Sequence, residues 1–207
     1  MNKCYIIAAG ECGKLSFEKK SGDLVICADG GLAYAKASGI NPDLVVGDFD
    51  SFGSIPKDEN IIVHPREKDE TDTHLAINCA LERGYTDIVM YGMLGGRLDH
   101  TYANIQLLSY LCEKGARGVI VGKDYTVTAI KNERLTLEKR NSGMISVFSF
   151  TQESRGITIS GLKYEVENFT LKSWYPMGVS NEFTGKEAFI EVNDGTLVII
   201  SENEKGL

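Results

Sequence analysis

The sequence has 207 residues, 43% of them hydrophobic and 25% charged, a globular composition that excludes a disordered chain. Its net charge of −7 (22 basic against 29 acidic side chains) argues against a phosphate-tracking nucleic-acid surface. No run approaches the ~20 apolar residues of a transmembrane helix. The first apolar run, residues 4–9, is too short for a signal-peptide core, so the expectation is a cytoplasmic protein with no membrane partner.

Up to about residue 130, short apolar runs alternate with helical periodicity. Strands are expected at 5–8, 24–28, 44–46, 61–63, 88–91 and 119–121, and helices at 32–38, 73–83 and 102–114. In the second helix Leu75, Ala76, Cys79 and Ala80 share a face, and in the third Ile105, Leu108, Leu111 and Cys112 do. Gly39, Gly84 and Gly115 close the three helices. This alternation predicts an α/β domain over residues 1–130, built on a parallel, doubly wound sheet. After Lys131 the helical period stops. Strands are expected at 135–137, 145–150, 156–160, 169–174, 188–192 and 196–201, with turns at Ser142-Gly143, Ser160-Gly161 and Asp194-Gly195. Residues 131–207 are therefore expected to form a smaller all-β domain, a sandwich or a barrel.

The five cysteines show no C-x-x-C spacing, and Cys4, Cys27, Cys79 and Cys112 fall in apolar runs. Reduced, buried thiols are expected, rather than disulfides or a zinc site. Of the 12 aspartates, 11 lie in the first 130 residues. Short carboxylates suit hard cations, so the chemistry is expected in the first domain, although turns and caps also enrich Asp.

Four polar clusters follow four of the expected strands: ADGG (28–31), GDFDS (47–51), HPREKDETD (64–72) and GMLGGRLDH (92–100). In a parallel sheet all four emerge at one edge, where ligands of open α/β sheets bind. Asp48 and Asp50, two residues apart after Gly47, can both reach one hard cation or can serve an Asx-turn. Asp69 and Asp72 flank Thr71 at a helix start, where one of them or Thr71 serves as the cap. Arg66 and Lys68 add positive charge to the same loop, a mixture suited to a metal–polyphosphate complex. In GGRLDH the glycines let backbone N–H groups approach a phosphate, and Arg97 adds a charged fork. Asp99 reads equally as an N-cap. No Walker A loop and no G-x-G-x-x-G occur, which disfavours an ordinary P-loop kinase and a dinucleotide site.

The ordered set ADGG, GDFDS, KDETD and GGRLDH resembles the thiamin pyrophosphokinase family, whose members convert thiamin and ATP to thiamin diphosphate and AMP. The resemblance runs from about Asp29 to Asn104 and resumes at GLKY (161–164) and VSNEF (179–183). It implies an N-terminal domain binding Mg-ATP, a C-terminal β domain binding thiamin, and a homodimer with active sites between subunits. By the same resemblance Asp48, Asp50 and Asp72 are the metal and catalytic positions, with Asp99 the acid of the G-R-x-D motif. Asp29, Gly30, Gly31, Lys68, Asp69, Arg97 and His100 stand at the nucleotide and its phosphates. Tyr164, Ser180 and Asn181 stand at thiamin, with Tyr164 where eukaryotic members commonly carry a stacking tryptophan. Thiamin is a flat cation, so Tyr164 or Trp174 can supply a cation–π face, with burial in the β core as the competing reading. Either Asp72 or Asp99 serves as the proton acceptor. A metal-dependent glycosyltransferase would also use a D-x-D, and a nucleotide-sensing module would bind without turnover.

Overall fold

The computed structural model describes residues 2–47, the main chain of 61–63, and residues 70–204. The chain divides into two compact units, one of residues 1–107 with 118–123, the other of residues 108–117 with 124–207.

In the first unit the strands are β1 (Cys4–Ile7), β2 (Leu24–Ala28), β3 (Leu44–Gly47), β4 (Ile61–Val63), β5 (Asp87–Tyr91) and β6 (Arg117–Val121). They lie in the order β6-β5-β1-β2-β3-β4. The pairs β1–β2, β1–β5, β2–β3 and β3–β4 are all parallel. Every residue of β1 and β3 is buried, as expected of parallel strands, whose runs are apolar on both faces. Tyr5, Ile7, Val25, Cys27, Leu32, Ala35, Val45 and Tyr91 share one core cluster. The chain moves outward from β1 through β2, β3 and β4, then returns to place β5 on the other flank of β1. That reversal is a topological switch point.

Three helices connect the strands: α1 (Gly31–Ala37), α2 (Asp72–Glu82) and α3 (Leu98–Glu113). Thr71 caps α2, its hydroxyl accepting from the His74 N–H at 3.2 Å. The buried face of α2 comprises Ala76, Ile77, Cys79 and Ala80. Ile77 takes the place expected for Leu75, which is half-buried. Gly31 opens α1 where a Cβ would collide with the carbonyl oxygen of Ile7, so only glycine lets this helix start against the end of β1.

The second unit is all antiparallel in its strand pairing. One sheet runs β12 (Asn181–Glu182), β9 (Met144–Ser149), β14 (Thr196–Glu202), β7 (Tyr125–Lys131), and the other β11 (Val166–Lys172), β10 (Glu153–Ser160), β13 (Ala188–Glu191), β8 (Arg134–Leu137). Ile130, Ile145, Val147 and Ile199 of the first sheet share one core cluster with Ile157, Ile159, Leu171 and Ile190 of the second. Gly161 (φ 79°) and Gly195 (φ 117°) supply left-handed turn positions. Two strands lie outside the sequence expectation. Strand β7 pairs with β14 along its whole length, from Tyr125 to Lys131, so residues from 124 onward join the second unit. Strand β12 is too short for any periodicity to mark it.

All five cysteines are free. Burial pushes the Cys4 and Cys27 thiols up to about 12, so at pH 8 only about one in 10⁴ of each is thiolate, the reactive form. Iodoacetamide at pH 8 should leave Cys4 and Cys27 unmodified in the native protein and alkylate both in urea. Mass-spectrometric peptide mapping showing native-state alkylation at the rate of an exposed thiol would contradict this packing.

Candidate active site

The carboxyl ends of β1, β2 and β5 open onto one pocket of about 270 Å³, wholly within the first unit. Its wall comes from Ala8–Gly10 after β1, Ala28 and Asp29 after β2, the start of α2, and the segment from Gly92 to His100 after β5. The parallel pairing of β1 through β5 puts these ends on one edge. Of the four clusters anticipated there, ADGG and GMLGGRLDH meet at the pocket with the end of HPREKDETD, while residues 48–51 and 64–69 lie outside the described residues.

Much of the wall is main chain. The Ala8 N–H donates to the Tyr91 carbonyl (2.8 Å), Gly10 to Gly92 (2.7 Å) and Glu11 to Leu94 (2.8 Å). This ladder joins the segment after β1 to the segment after β5. A Cβ at Gly10 would stand 2.5 Å from the Gly92 oxygen and 2.7 Å from the Leu94 oxygen, closer than real side chains come. Helix α3 holds the same segment from the other side. The Asn104 amide donates to the Met93 carbonyl at 2.7 Å, and the Thr101 hydroxyl to the Gly95 carbonyl at 3.2 Å. Asn104 is 7% exposed and lines the pocket. It shares α3's buried face with Leu108 and Leu111.

Asp29 has φ 46°, in the left-handed region that few non-glycine residues adopt. Its N–H donates to the Val46 carbonyl at 2.9 Å. Its Oδ1 is buried and has no hydrogen-bond partner among the described residues. A buried carboxylate oxygen without a donor is costly, and backbone strain at the same residue is characteristic of a site held ready for a ligand. Gly30 and Gly31 follow directly, Gly31 opening α1. Asp72 is the first residue of α2 and lines the same pocket. Thr71, and not Asp72, supplies the cap of α2.

Arg97 and Asp99 form a two-pronged ion pair, Nε to Oδ1 at 3.1 Å and NH2 to Oδ2 at 2.6 Å. Asp99 lies inside the first turn of α3, which corrects the N-cap alternative. The Arg97 hydrogen bond holds the Asp99 carboxyl below the usual carboxylate range. Arg97 and His100 line the pocket and are exposed. The other anticipated positions of this region, Asp48, Asp50, Arg66, Lys68 and Asp69, lie outside the described residues. Among the described residues no cluster of three or more His, Cys, Asp or Glu side chains could hold a metal. Asp29 and Asp72 on one wall, one with an orphaned oxygen, are nevertheless a donor set that suits a hard divalent cation.

In the second unit Tyr164 is 58% exposed. The Asn181 amide grips its main chain, Oδ1 accepting from the Tyr164 N–H (2.9 Å) and Nδ2 donating to the Tyr164 carbonyl (2.8 Å). Lys163 Nζ stands 5.4 Å from the centre of the Tyr164 ring and is paired with Glu182 at 2.6 Å. Ser180 takes φ 61°, its N–H donating to the Ser146 hydroxyl at 3.1 Å. Trp174 is 59% exposed, with Lys172 Nζ 5.3 Å from its ring centre. The expectation that Trp174 belongs to the β core is thereby corrected.

Replacing Asp29 by Asn isolates charge from conformation, because Asn also tolerates the left-handed region. Asp29→Asn should unfold at nearly the wild-type temperature and lose about 10²-fold in turnover, the scale of a lost electrostatic contact to the transition state. Turnover near wild type at limiting divalent cation would contradict the role given to this carboxylate.

Comparison with known proteins agrees with this arrangement. The family model of the thiamin pyrophosphokinase catalytic domain matches residues 17–120. That of the thiamin pyrophosphokinase vitamin B1 binding domain matches residues 132–197. Thiamine pyrophosphokinase of Bacillus subtilis (strain 168) is 29% identical over 188 residues, covering 87% of this chain and 88% of the relative. Thiamin pyrophosphokinase 1 of Caenorhabditis elegans is 25% identical over 169 residues, 77% of this chain and 70% of the relative. The crystal structure of thiamine pyrophosphokinase from Bacillus subtilis matches with a TM-score of 0.86 at 27% identity, covering 98% of this chain and 100% of that chain. A unit of parallel-paired strands with helices, an all-antiparallel β unit and two family models spanning most of the sequence lead to one conclusion: the chain belongs to the thiamin pyrophosphokinase family.

Proposed function

We propose that this chain transfers the β,γ-pyrophosphoryl group of Mg-ATP to the hydroxyl of thiamin, giving thiamin diphosphate and AMP. The observation that carries this reading is the pocket at the switch point of the first unit. Its wall combines backbone-lined glycine segments with Asp29, Asp72, Arg97 and His100. Such a mixture suits a polyphosphate with its cation. The first unit is the ATP-binding catalytic part, of doubly wound form. The second unit, which takes in residues 124–130 ahead of the expected boundary at 131, is a sandwich-like part that binds thiamin.

Magnesium is the cofactor in this reading, with Asp48, Asp50 and Asp72 as its ligands. When bound, it supplies neutralisation of the charge on the transferred group. Gly30 and Gly31 line the phosphate side, with Lys68, Asp69 and His100 beside them, and Asp29 offers its carboxylate to the cation of the Mg-ATP complex. Arg97 offers a guanidinium to phosphate oxygens, exchanging one carboxylate partner for another anion. Asp72 and Asp99 are the two carboxylates of this reading that can take the proton of thiamin's alcohol. The Arg97 hydrogen bond holds the Asp99 carboxyl below the usual carboxylate range, and basicity sets how well such a group accepts a proton. Tyr164, Ser180 and Asn181 form the thiamin side, the Tyr164 ring offering a face to a cationic, flat ligand.

A homodimer belongs to the same reading, supported by the exposed apolar run of Trp174, Tyr175, Met177 and Val179. A cytoplasmic location suits five free cysteines. No helix of the described residues is long and apolar enough to cross a membrane.

ATP labelled separately at its β- and γ-positions tests the reaction type. Incubation with thiamin and magnesium should send both labels into one product and release unlabelled AMP. Formation of ADP in step with thiamin monophosphate would reject pyrophosphoryl transfer. Binding of ATP without thiamin-dependent consumption would favour a nucleotide-sensing module instead.

A further inference from the structure

The resemblance counts Asn181 among the residues that meet thiamin, but its surroundings give it another task. Its side chain is 6% exposed and makes three hydrogen bonds. Oδ1 accepts from the Tyr164 N–H and from the Glu182 N–H, both at 2.9 Å, and Nδ2 donates to the Tyr164 carbonyl at 2.8 Å. An amide oxygen has two lone pairs. Both are filled, so the oxygen has no capacity left for the amino group of an aminopyrimidine. Of the two Nδ2–H donors, one is taken by Tyr164 and the other belongs to a residue only 6% exposed.

The two bonds to Tyr164 use both main-chain groups of a single residue. They reproduce with one side chain the paired donor and acceptor that a neighbouring β-strand would offer. The local chain needs this substitute. Residues 162 and 163 run beside 182 and 183 through the Leu162–Phe183 bridge and the Lys163 N–H to Glu182 carbonyl bond at 3.0 Å. This register sets Asn181 opposite Tyr164, next to Ser180 at φ 61°, and among the described residues no main-chain bond from this segment reaches Tyr164. Asn181 fills the gap. Tyr164 itself exposes its ring, so its own side chain contributes little burial to hold it.

We propose that Asn181 is a positioning residue, fixing the main chain of Tyr164 and with it the exposed ring, and acts on thiamin through Tyr164 alone. The inference rests on the assignment of Tyr164 to thiamin made above. Two carbonyl and amide anchors on one residue restrict the Cα–Cβ direction, which decides where an aromatic face stands. Glu182, whose N–H is the third partner, also pairs with Lys163 beside the ring. One buried amide therefore orders both the ring and the neutralised cation next to it.

A double-mutant cycle separates action through Tyr164 from direct contact. Thiamin affinity is measured by calorimetry for the full chain, Asn181→Ala, Tyr164→Ala and the double variant, with KM for ATP as the control. Asn181→Ala should weaken thiamin roughly tenfold, the scale of losing buried hydrogen bonds, and leave KM for ATP unchanged. In the Tyr164→Ala background the same change should have no further effect on thiamin. Amide exchange at Tyr164 should accelerate in Asn181→Ala. An equal loss in both backgrounds would mean that Asn181 touches thiamin itself, overturning this inference alone. No effect of Tyr164→Ala on thiamin would overturn the assignment of Tyr164 and the inference with it. Should Asn181→Ala not fold, Asn181→Ser replaces it in the same cycle with the same expectation, since it stays neutral and is too short to hold both main-chain groups of Tyr164.

Discussion

Parallel pairing on both flanks of β1 is the constraint from which the first unit's chemistry follows. With β2 on one side and β5 on the other, in register from Cys4 to Ile7, three segments leave the sheet together at the same edge. The chain must diverge there, because successive connections run to opposite sides, and a crevice opens between them. The segments after β1 and β5 then stitch to each other through main-chain bonds from Ala8 to Leu94. A wall made of peptide groups stays close to a ligand and does not depend on rotamers. It also explains why glycine stands at positions 10 and 31, where any Cβ would meet a carbonyl oxygen.

The two units solve the problem of buried polar groups differently. In the first, an Asn on the apolar stripe of α3 answers a loop carbonyl and fastens the rim. In the second, an Asn answers both main-chain groups of Tyr164. Each amide holds backbone that has no regular partner, which is the general reason a buried Asn survives in a packed interior. Asp29 departs from this pattern: its Oδ1, without a partner among the described residues, and its left-handed backbone are energetic costs that a ligand or cation would offset.

Much of this was legible in the sequence. Apolar runs of three to five residues ending at Ala28, Val46 and Tyr91 marked the strands, and the polar clusters after them marked the binding edge. Thr71 and Gly84 marked the limits of α2. What escaped did so for physical reasons. Ala8, Ala9 and Gly10 carry no functional group and contribute peptide groups, which composition cannot reveal. Asn104 sits four and seven residues before Leu108 and Leu111, on a stripe where periodicity looks only for apolar residues. Strand β7, Tyr-Thr-Val-Thr-Ala-Ile-Lys, half alternates, and its place in the second unit depends on pairing with β14, some seventy residues later. Trp174 was expected inside because large aromatics usually are, and only tertiary structure shows it exposed. The Arg97–Asp99 pair joined two side chains that the motif alone had assigned to separate tasks.

The most direct test of this account is a crystal structure with magnesium and an unreactive ATP analogue. The triphosphate should lie over the carboxyl ends of β1, β2 and β5, against the main chain of Ala8–Gly10 and within reach of Arg97, with a cation bound by carboxylates that include Asp72. A nucleotide seated away from that edge, or a cation that no aspartate of this set touches, would contradict it.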